Sequence, residues 1–190
     1  MRIVAGRFRG AHLAGPRAGD TSLRPTSDRL RETLFNILAH RADGDPVPAA
    51  RVLDLFAGTG ALGLEALSRG ARFCLFVEER ASARALIRRN IEALSLTGVT
   101  KLFRRDATRL GPAGTLGRFS LAFLDPPYGR GLAERALASA RDGGWLKDGA
   151  VIVVEEARTA GFAAPRGFTE TDRRQNGDSE LIFLSHESAP

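Results

Sequence analysis

The chain has 190 residues, 43% of them hydrophobic, which suits one domain with a complete core and excludes wholesale disorder. No apolar run is long enough to cross a bilayer, and the first seven residues lack the apolar stretch of a secretory signal. The single cysteine, Cys74, excludes an internal disulfide and a cysteine-cluster metal site, so a reducing, cytoplasmic setting is expected. A net charge of +6 and a pI of about 10.8 favour a polyanionic partner. Residues 1–40 hold seven arginines against three acids, a net +4 of that charge. Since 26 of the 28 basic residues are arginine, part of the basicity is a bias of composition.

In chain order, Met1 to about Leu13 alternates loosely around Gly6 and Gly10, as a short hairpin does. A Gly/Pro/Ala-rich link over residues 14–19 follows. Thr26 or Ser27 is placed to cap a helix whose apolar stripe is Leu30, Leu34, Phe35, Ile37 and Leu38, with Arg29, Arg31 and Glu32 on the other face. The break at 42–48 divides the chain into a basic hairpin-and-helix extension over 1–48 and a main domain over 49–190.

From Arg51 onward strands and helices alternate. Strands are expected at 51–56, 72–78, around Leu102-Phe103, at 119–124 and at 150–155. Helices are expected at 59–68, 80–96 and 131–141. In the long helix Leu86, Ile87, Ile91 and Leu94 face inward and Arg84, Arg88 and Arg89 outward. Cys74 sits in an apolar strand, where a buried structural thiol is expected. Two more strands, 168–174 and 181–185, flank an Asn176-Gly177 turn. The pattern predicts a doubly wound α/β sheet closed by an antiparallel hairpin.

Asp125-Pro126-Pro127-Tyr128 ends the fourth strand abruptly. It leaves a carboxylate, a carbonyl without a competing amide and an aromatic ring at the strand's carboxyl edge. Two acceptors beside a flat surface suit a planar ring that carries an exocyclic NH2 group. Alone, the same residues are also an ordinary turn.

Gly58-Thr59-Gly60-Ala61-Leu62-Gly63 matches G-x-G-x-x-G between a strand and a helix, with Glu78 and Glu79 about twenty residues on. That is the spacing of a dinucleotide fold, and glycines also serve any ligand that approaches a strand edge closely. Asp54, four residues before Gly58, decides between ligands. Its carboxylate repels a pyrophosphate and welcomes the sulfonium and ammonium groups of S-adenosylmethionine. Asp106, after the third strand, either accepts from an adenine amino group or caps the next turn.

Asp54-Leu-Phe-Ala-Gly-Thr-Gly-Ala-Leu-Gly-Leu-Glu-Ala-Leu-Ser-Arg-Gly70, together with Asp125-Pro-Pro-Tyr-Gly-Arg-Gly-Leu132, resembles the RsmD family of bacterial 16S rRNA guanine methyltransferases. So do Arg24-Pro-Thr-Ser-Asp-Arg-Leu-Arg-Glu-Thr-Leu-Phe-Asn-Ile-Leu38 and the first ten residues. The resemblance runs from Met1 to the Asn176-Gly177-Asp178 turn. It implies a class I methyltransferase fold, Rossmann-like, with a seven-stranded mostly parallel sheet and the small N-terminal extension. The implied reaction moves a methyl group from S-adenosylmethionine to N2 of one guanine in 16S rRNA, within the small ribosomal subunit or its assembly intermediate. By matching position, Asp54 and the loop Phe56, Ala57, Gly58, Thr59 and Gly60 hold the methionine portion. Glu78 takes the ribose, with Glu79 as a second contact, and Asp106 with the Ala107 amide takes the adenine. Many relatives carry an acid two residues past that glutamate, where this chain has Arg80.

The catalytic group is then Asp125, Pro126, Pro127 and Tyr128, with no metal required. Asp125 and the Pro126 carbonyl accept the two amino hydrogens, and Tyr128 stacks on the base, its ring rather than its hydroxyl being used. Arg2, Arg7, Arg9, Arg24, Arg29 and Arg31 are expected at RNA phosphates. No membrane partner is expected, and nothing in the sequence demands more than a monomer. The rival readings are a DNA adenine or cytosine amino-methyltransferase, a nicotinamide-dependent oxidoreductase, and an RNA-binding protein without activity.

Overall fold

A computed structural model describes residues 1–16 and 27–187. Helix α1 (Asp28–Ala39) precedes a regular alternation: β1 (Arg51–Leu55), α2 (Ala61–Ser68), β2 (Phe73–Val77), α3 (Ala81–Ala93), β3 (Thr100–Phe103), β4 (Phe119–Leu124) and α4 (Leu132–Asp142). The chain ends in β5 (Leu146–Ala157), β6 (Phe168–Asn176) and β7 (Ser179–His186). The seven strands form one sheet in the order β3-β2-β1-β4-β5-β7-β6. Strands β1 to β5 pair in parallel, β7 runs antiparallel to β5, and β6 antiparallel to β7. The predicted doubly wound sheet with its closing hairpin is what forms.

The order reverses between β1 and β4, so the carboxyl ends of these two strands bound the crevice where such sheets bind ligands. Alternation along each strand sends side chains to two apolar layers. Val52, Cys74, Phe76, Leu121, Phe123, Val151 and Val153 join the layer under α1, α2 and α3. Leu53, Leu55, Leu75, Val77, Leu124, Ile152 and Val154 join the layer under α4. Cys74 is fully buried among them.

Element edges differ modestly from expectation. α2 starts at Ala61 and α3 ends at Ala93, because left-handed Gly60 (φ +79°) and left-handed Ser95 (φ +56°) bound them. The turn between β6 and β7 is Gly177-Asp178, one residue later than expected, with Gly177 at φ +61°. The N-terminal hairpin reduces to one isolated bridge, Arg2 with His12, closed by the amide bonds Ile3 to Ala11 and Leu13 to Met1. Ser27 caps α1 through the Leu30 amide at 3.1 Å; Thr26 and residues 17–19 of the preceding link lie outside the described residues.

The N-terminal segment packs as a strap on α2. Glu65, fully buried, accepts from the amides of Val4 (2.8 Å) and Ala5 (2.9 Å). The Ser68 hydroxyl donates to the Ala5 carbonyl (2.6 Å) and accepts from the Phe8 amide (3.0 Å). Asn90 on α3 accepts from the Ala14 amide (2.7 Å) and donates to the carbonyls of Ala14 (3.1 Å) and Thr59 (3.0 Å). Ile3, Leu13 and the apolar stripe of α1 share one core layer with the sheet. All eight residues of α2 are therefore buried, polar Glu65 and Ser68 included.

Two arginines are not where the periodicity put them. Arg31 is fully buried in α1, where its guanidinium donates to Asp28 (2.7 Å) and to the Arg2 carbonyl. It braces the strap and has no surface to offer a phosphate, which corrects its expected role. Arg84 turns inward, donating to the carbonyls of Glu78 and Glu79, the two residues that follow β2. Arg88 and Arg89 are exposed as expected.

Candidate active site at the carboxyl edge of the sheet

Four acids stand side by side at the carboxyl ends of β2, β1, β4 and β5: Glu78, Asp54, Asp125 and Glu155. Alternation puts all four on the same face as Phe76, Val52, Phe123 and Val153. Asp54 is buried and accepts from the Gly63 amide at 3.0 Å. Gly63 is the only residue type that fits, since a Cβ there would lie 2.5 Å from Cys74 Sγ and 3.0 Å from Asp54 Oδ2. The third glycine of the motif therefore lets α2 sit down on the sheet and deliver its amide to the acid.

The loop after β1 is shaped by backbone. Phe56 takes a left-handed conformation (φ +58°) that few non-glycine residues adopt, and Ala57 then donates to the Val77 carbonyl at 3.1 Å. Gly58 donates to Glu78 Oε2 at 2.9 Å, and the Arg80 amide donates to Glu78 Oε1 at 2.8 Å. Glu78 is buried and fixed at both oxygens, whereas Glu79 is exposed, so the structure separates the two neighbours that sequence could not. Arg80, two residues past Glu78, reaches back to Glu78 Oε1 at 3.2 Å. Thr59 is buried with its hydroxyl 3.7 Å from Met1 Sδ.

Asp106 caps a short 3-10 turn (Ala107–Arg109), taking the Thr108 amide and hydroxyl on Oδ1, both at 2.8 Å. Partial burial alone would push this carboxyl up. The Thr108 bonds and the charges of Arg109 and Arg135 outweigh it and hold the group below the usual range. Ala107 is buried beside it.

After β4 come Asp125 and Tyr128, both half-buried, buried Pro126 and exposed Pro127. The Tyr128 hydroxyl donates to Glu155 Oε1 at 2.6 Å, and the Gly129 amide donates to Glu156 Oε1 at 3.0 Å. The hydroxyl thus has a specific partner, a contact that the sequence alone does not announce. Glu155 and Glu156 went unnoticed in the sequence. Their signal was two adjacent acids directly after Val151-Ile-Val-Val154, a run that otherwise reads as wholly buried.

The electrostatics select the ligand. Burial pushes the Asp54 carboxyl well above the ordinary carboxylate range; the Gly63 amide opposes this, and the nearby charges of Asp125 and Glu78 push it further up. An anionic pyrophosphate would worsen this repulsion, whereas a sulfonium and an ammonium relieve it. The acids are spread along the edge rather than gathered at a point: among the described residues no group of three His, Cys, Asp or Glu could hold a metal ion. The residues present fit S-adenosylmethionine.

A family model described as "Conserved hypothetical protein 95" matches residues 1–185. The chain belongs to that family, the RsmD family. A curated relative, "Ribosomal RNA small subunit methyltransferase D" of Escherichia coli strain K12, is 42% identical over 156 residues, 82% of this chain and 74% of the relative. The Haemophilus influenzae protein of the same name is 33% identical over 93% of this chain and 89% of its own. Among solved structures, "Putative methyltransferase yhhF from Escherichia coli" superposes with a TM-score of 0.83 at 32% identity, covering 100% of this chain and 99% of that one. This RsmD-family chain has the class I methyltransferase fold, and its cofactor is S-adenosylmethionine. No helix among its described residues is long and apolar enough to cross a membrane.

Proposed function

We propose that this protein methylates the exocyclic amino group, N2, of one guanine in the 16S rRNA of the small ribosomal subunit, in the cytoplasm. The observation that carries the reading is the Asp125-Pro-Pro-Tyr128 turn beside buried Asp54 at the reversal point of the sheet, in a chain whose relatives are named small-subunit rRNA methyltransferases. Asp54 and the Phe56–Gly60 loop hold the amino-acid portion of the cofactor, Glu78 its ribose, and Asp106 with the Ala107 amide its adenine. Bound there, S-adenosylmethionine supplies an electrophilic methyl group.

A guanine amino nitrogen is a weak nucleophile because its lone pair is delocalised into the ring. Asp125 and the Pro126 carbonyl each accept one amino hydrogen, which turns the lone pair toward the methyl group. Asp125 also stabilises the positive charge that grows on nitrogen, so positioning and fixed electrostatics carry the acceleration. Tyr128 stacks on a base drawn out of its RNA helix or loop. Pro127 keeps the turn rigid and, having no N–H, offers no donor to compete.

The test is methyl transfer from labelled S-adenosylmethionine to small subunits lacking the modification, followed by nucleoside digestion and mass spectrometry. Label on N2 of guanosine is the expected result. Label on an adenine or cytosine amino group, or transfer to DNA alone, would overturn it.

For the RNA we propose a basic surface on the strap and α1. Arg2, Arg9 and Arg29 line a cleft of about 420 Å³ whose acids are Asp28 and Glu32, and Arg7 is exposed nearby. Arg2 lies 3.7 Å from Asp28 with its side chain 67% exposed, a pairing too weak to keep it from a phosphate. Arg24 lies outside the described residues. Exchanging Arg2, Arg9 and Arg29 together for Gln is expected to leave cofactor affinity unchanged. RNA affinity should fall, and the slope of log affinity against log salt should flatten by roughly 2–3, close to one unit per lost phosphate contact. An unchanged slope would put the RNA elsewhere.

A further inference from the structure

We propose that Glu155 is a positioning residue for base capture: from β5 it holds the Tyr128 hydroxyl and so sets the plane of the ring on which the target base stacks. The proposal rests on the stacking role given to Tyr128 above. Glu155 is 7% exposed and lies within β5, paired with Leu181 of β7. On the other side, the last registered pair between β4 and β5 is Leu124 with Val154, so Glu155 stands one residue further, abreast of Asp125. Neighbouring strands are about 4.8 Å apart, which brings the two carboxylates to the same small area of the edge.

A tyrosine joined to its loop through Cβ alone can swing about two torsions. The 2.6 Å bond from its hydroxyl to Glu155 Oε1 fixes the far end of the ring as well. That length lies at the short end of the range for a hydroxyl donating to oxygen. The next residue repeats the arrangement. Glu156, 2% exposed, accepts from the Gly129 amide (3.0 Å) and from its neighbour Ala157 (2.9 Å). Two successive residues of an internal strand therefore hold two successive residues of the catalytic turn. β5 is flanked by β4 and β7, so the anchor itself has no freedom to drift. The ring is presented to the base already oriented, which lowers the ordering lost on binding.

The test compares Glu155→Ala, Glu155→Gln, Tyr128→Phe and the Glu155→Ala/Tyr128→Phe double variant for methyl transfer to small subunits and for S-adenosylmethionine affinity by calorimetry. Tyr128 is the only tyrosine in the chain. A ¹³Cζ-tyrosine label thus gives one resonance that reports its hydroxyl. Glu155→Ala and Tyr128→Phe are each expected to lower kcat/KM about tenfold, the loss of one hydrogen bond, with cofactor affinity unchanged. The double variant should be no worse than the poorer single one, as two partners of one contact require. Glu155→Gln should recover most of the activity, because its amide oxygen accepts the same bond. The tyrosine resonance should move in Glu155→Ala.

Wild-type kcat/KM in Glu155→Ala, additive losses in the double variant, or an unmoved resonance would each overturn the proposal. If Glu155→Ala does not fold, Tyr128→Phe and Glu155→Gln decide it: wild-type kcat/KM in Tyr128→Phe, or a tenfold loss in Glu155→Gln, overturns it. Absence of methyl transfer by the wild-type protein would instead overturn the rRNA reading, and the tyrosine resonance would then judge the contact by itself.

Discussion

Asp54→Asn is expected to stabilise the protein without its cofactor while removing cofactor binding. Asn has the same shape, and its carbonyl oxygen still accepts from the Gly63 amide, so the packing of α2 is retained. What it removes is the cost of ionising a buried carboxyl beside Asp125 and Glu78, so the gain appears where the pH would ionise Asp54. The folded value of Asp54 is raised, so the native state holds a proton that the unfolded chain, with an ordinary value of about 3.9, has already released. Stability from this group is therefore fully present below the unfolded value and is lost as pH rises through the folded one. Wild-type stability should fall with pH across that window, and the Asn variant should lack the fall. In a chain of this size each kcal/mol recovered raises the melting midpoint by about 2–4 °C. A cationic ligand favours the ionised carboxylate, so cofactor binding should release a proton in the same window. Calorimetry in buffers of different ionisation enthalpy reads that release directly. A lower midpoint in Asp54→Asn, or retained affinity, would exclude the electrostatic role.

Asp125→Ala should have the opposite profile: folding and cofactor affinity near wild type, and methyl transfer reduced about 10²–10³-fold, the usual loss when one preorganised transition-state partner is deleted. Loss of its negative charge also makes Asp54 easier to ionise, so cofactor affinity should if anything rise slightly at neutral pH. Single-turnover rates with saturating cofactor separate the two effects. A variant that transfers methyl groups at the wild-type rate would remove Asp125 from the chemistry.

Much of this arrangement is legible in the sequence because local chemistry and global fold agree. The apolar runs at 51–55, 73–77, 119–124 and 151–154 sit on strands that are buried on both faces, and their spacing by helical segments gives the parallel order. Asp54 and Asp125 stand out as acids interrupting or ending such runs. Residues whose role is a long-range contact were not legible. Arg31 follows the polar spacing of α1, yet the strap covers it, and only the folded strap reveals that. Arg84 likewise answers to two carbonyls at the end of β2 that no helical periodicity can announce. Glu65 and Asn90 carry a faint signal, each a polar residue on an apolar helix face, but their partners on the strap lie 60 to 76 positions away. Glu78 and Glu79 were indistinguishable until the Gly58 amide chose one of them.

The way the strap is fastened leaves its exposed side chains uncommitted to the fold. Glu65, Ser68 and Asn90 grip Val4, Ala5, Phe8 and Ala14 by main-chain groups alone. Any residue other than proline supplies the same amide, so these three anchors hold the strap without reading its side chains. Buried Ile3 and Leu13, half-buried Met1, Phe8 and Ala11 packed on the same core, Gly6, whose Cβ would lie 2.0 Å from the Ser68 carbonyl oxygen, and left-handed Gly10 (φ +86°) are fixed by fit. The exposed side chains of Arg2, Arg7, Arg9 and His12 are open to substitution at little expense in folding. With the RNA-binding role proposed for the strap, those side chains can diverge, or be exchanged in the laboratory, to suit a different nucleic-acid surface while the core beneath stays as it is.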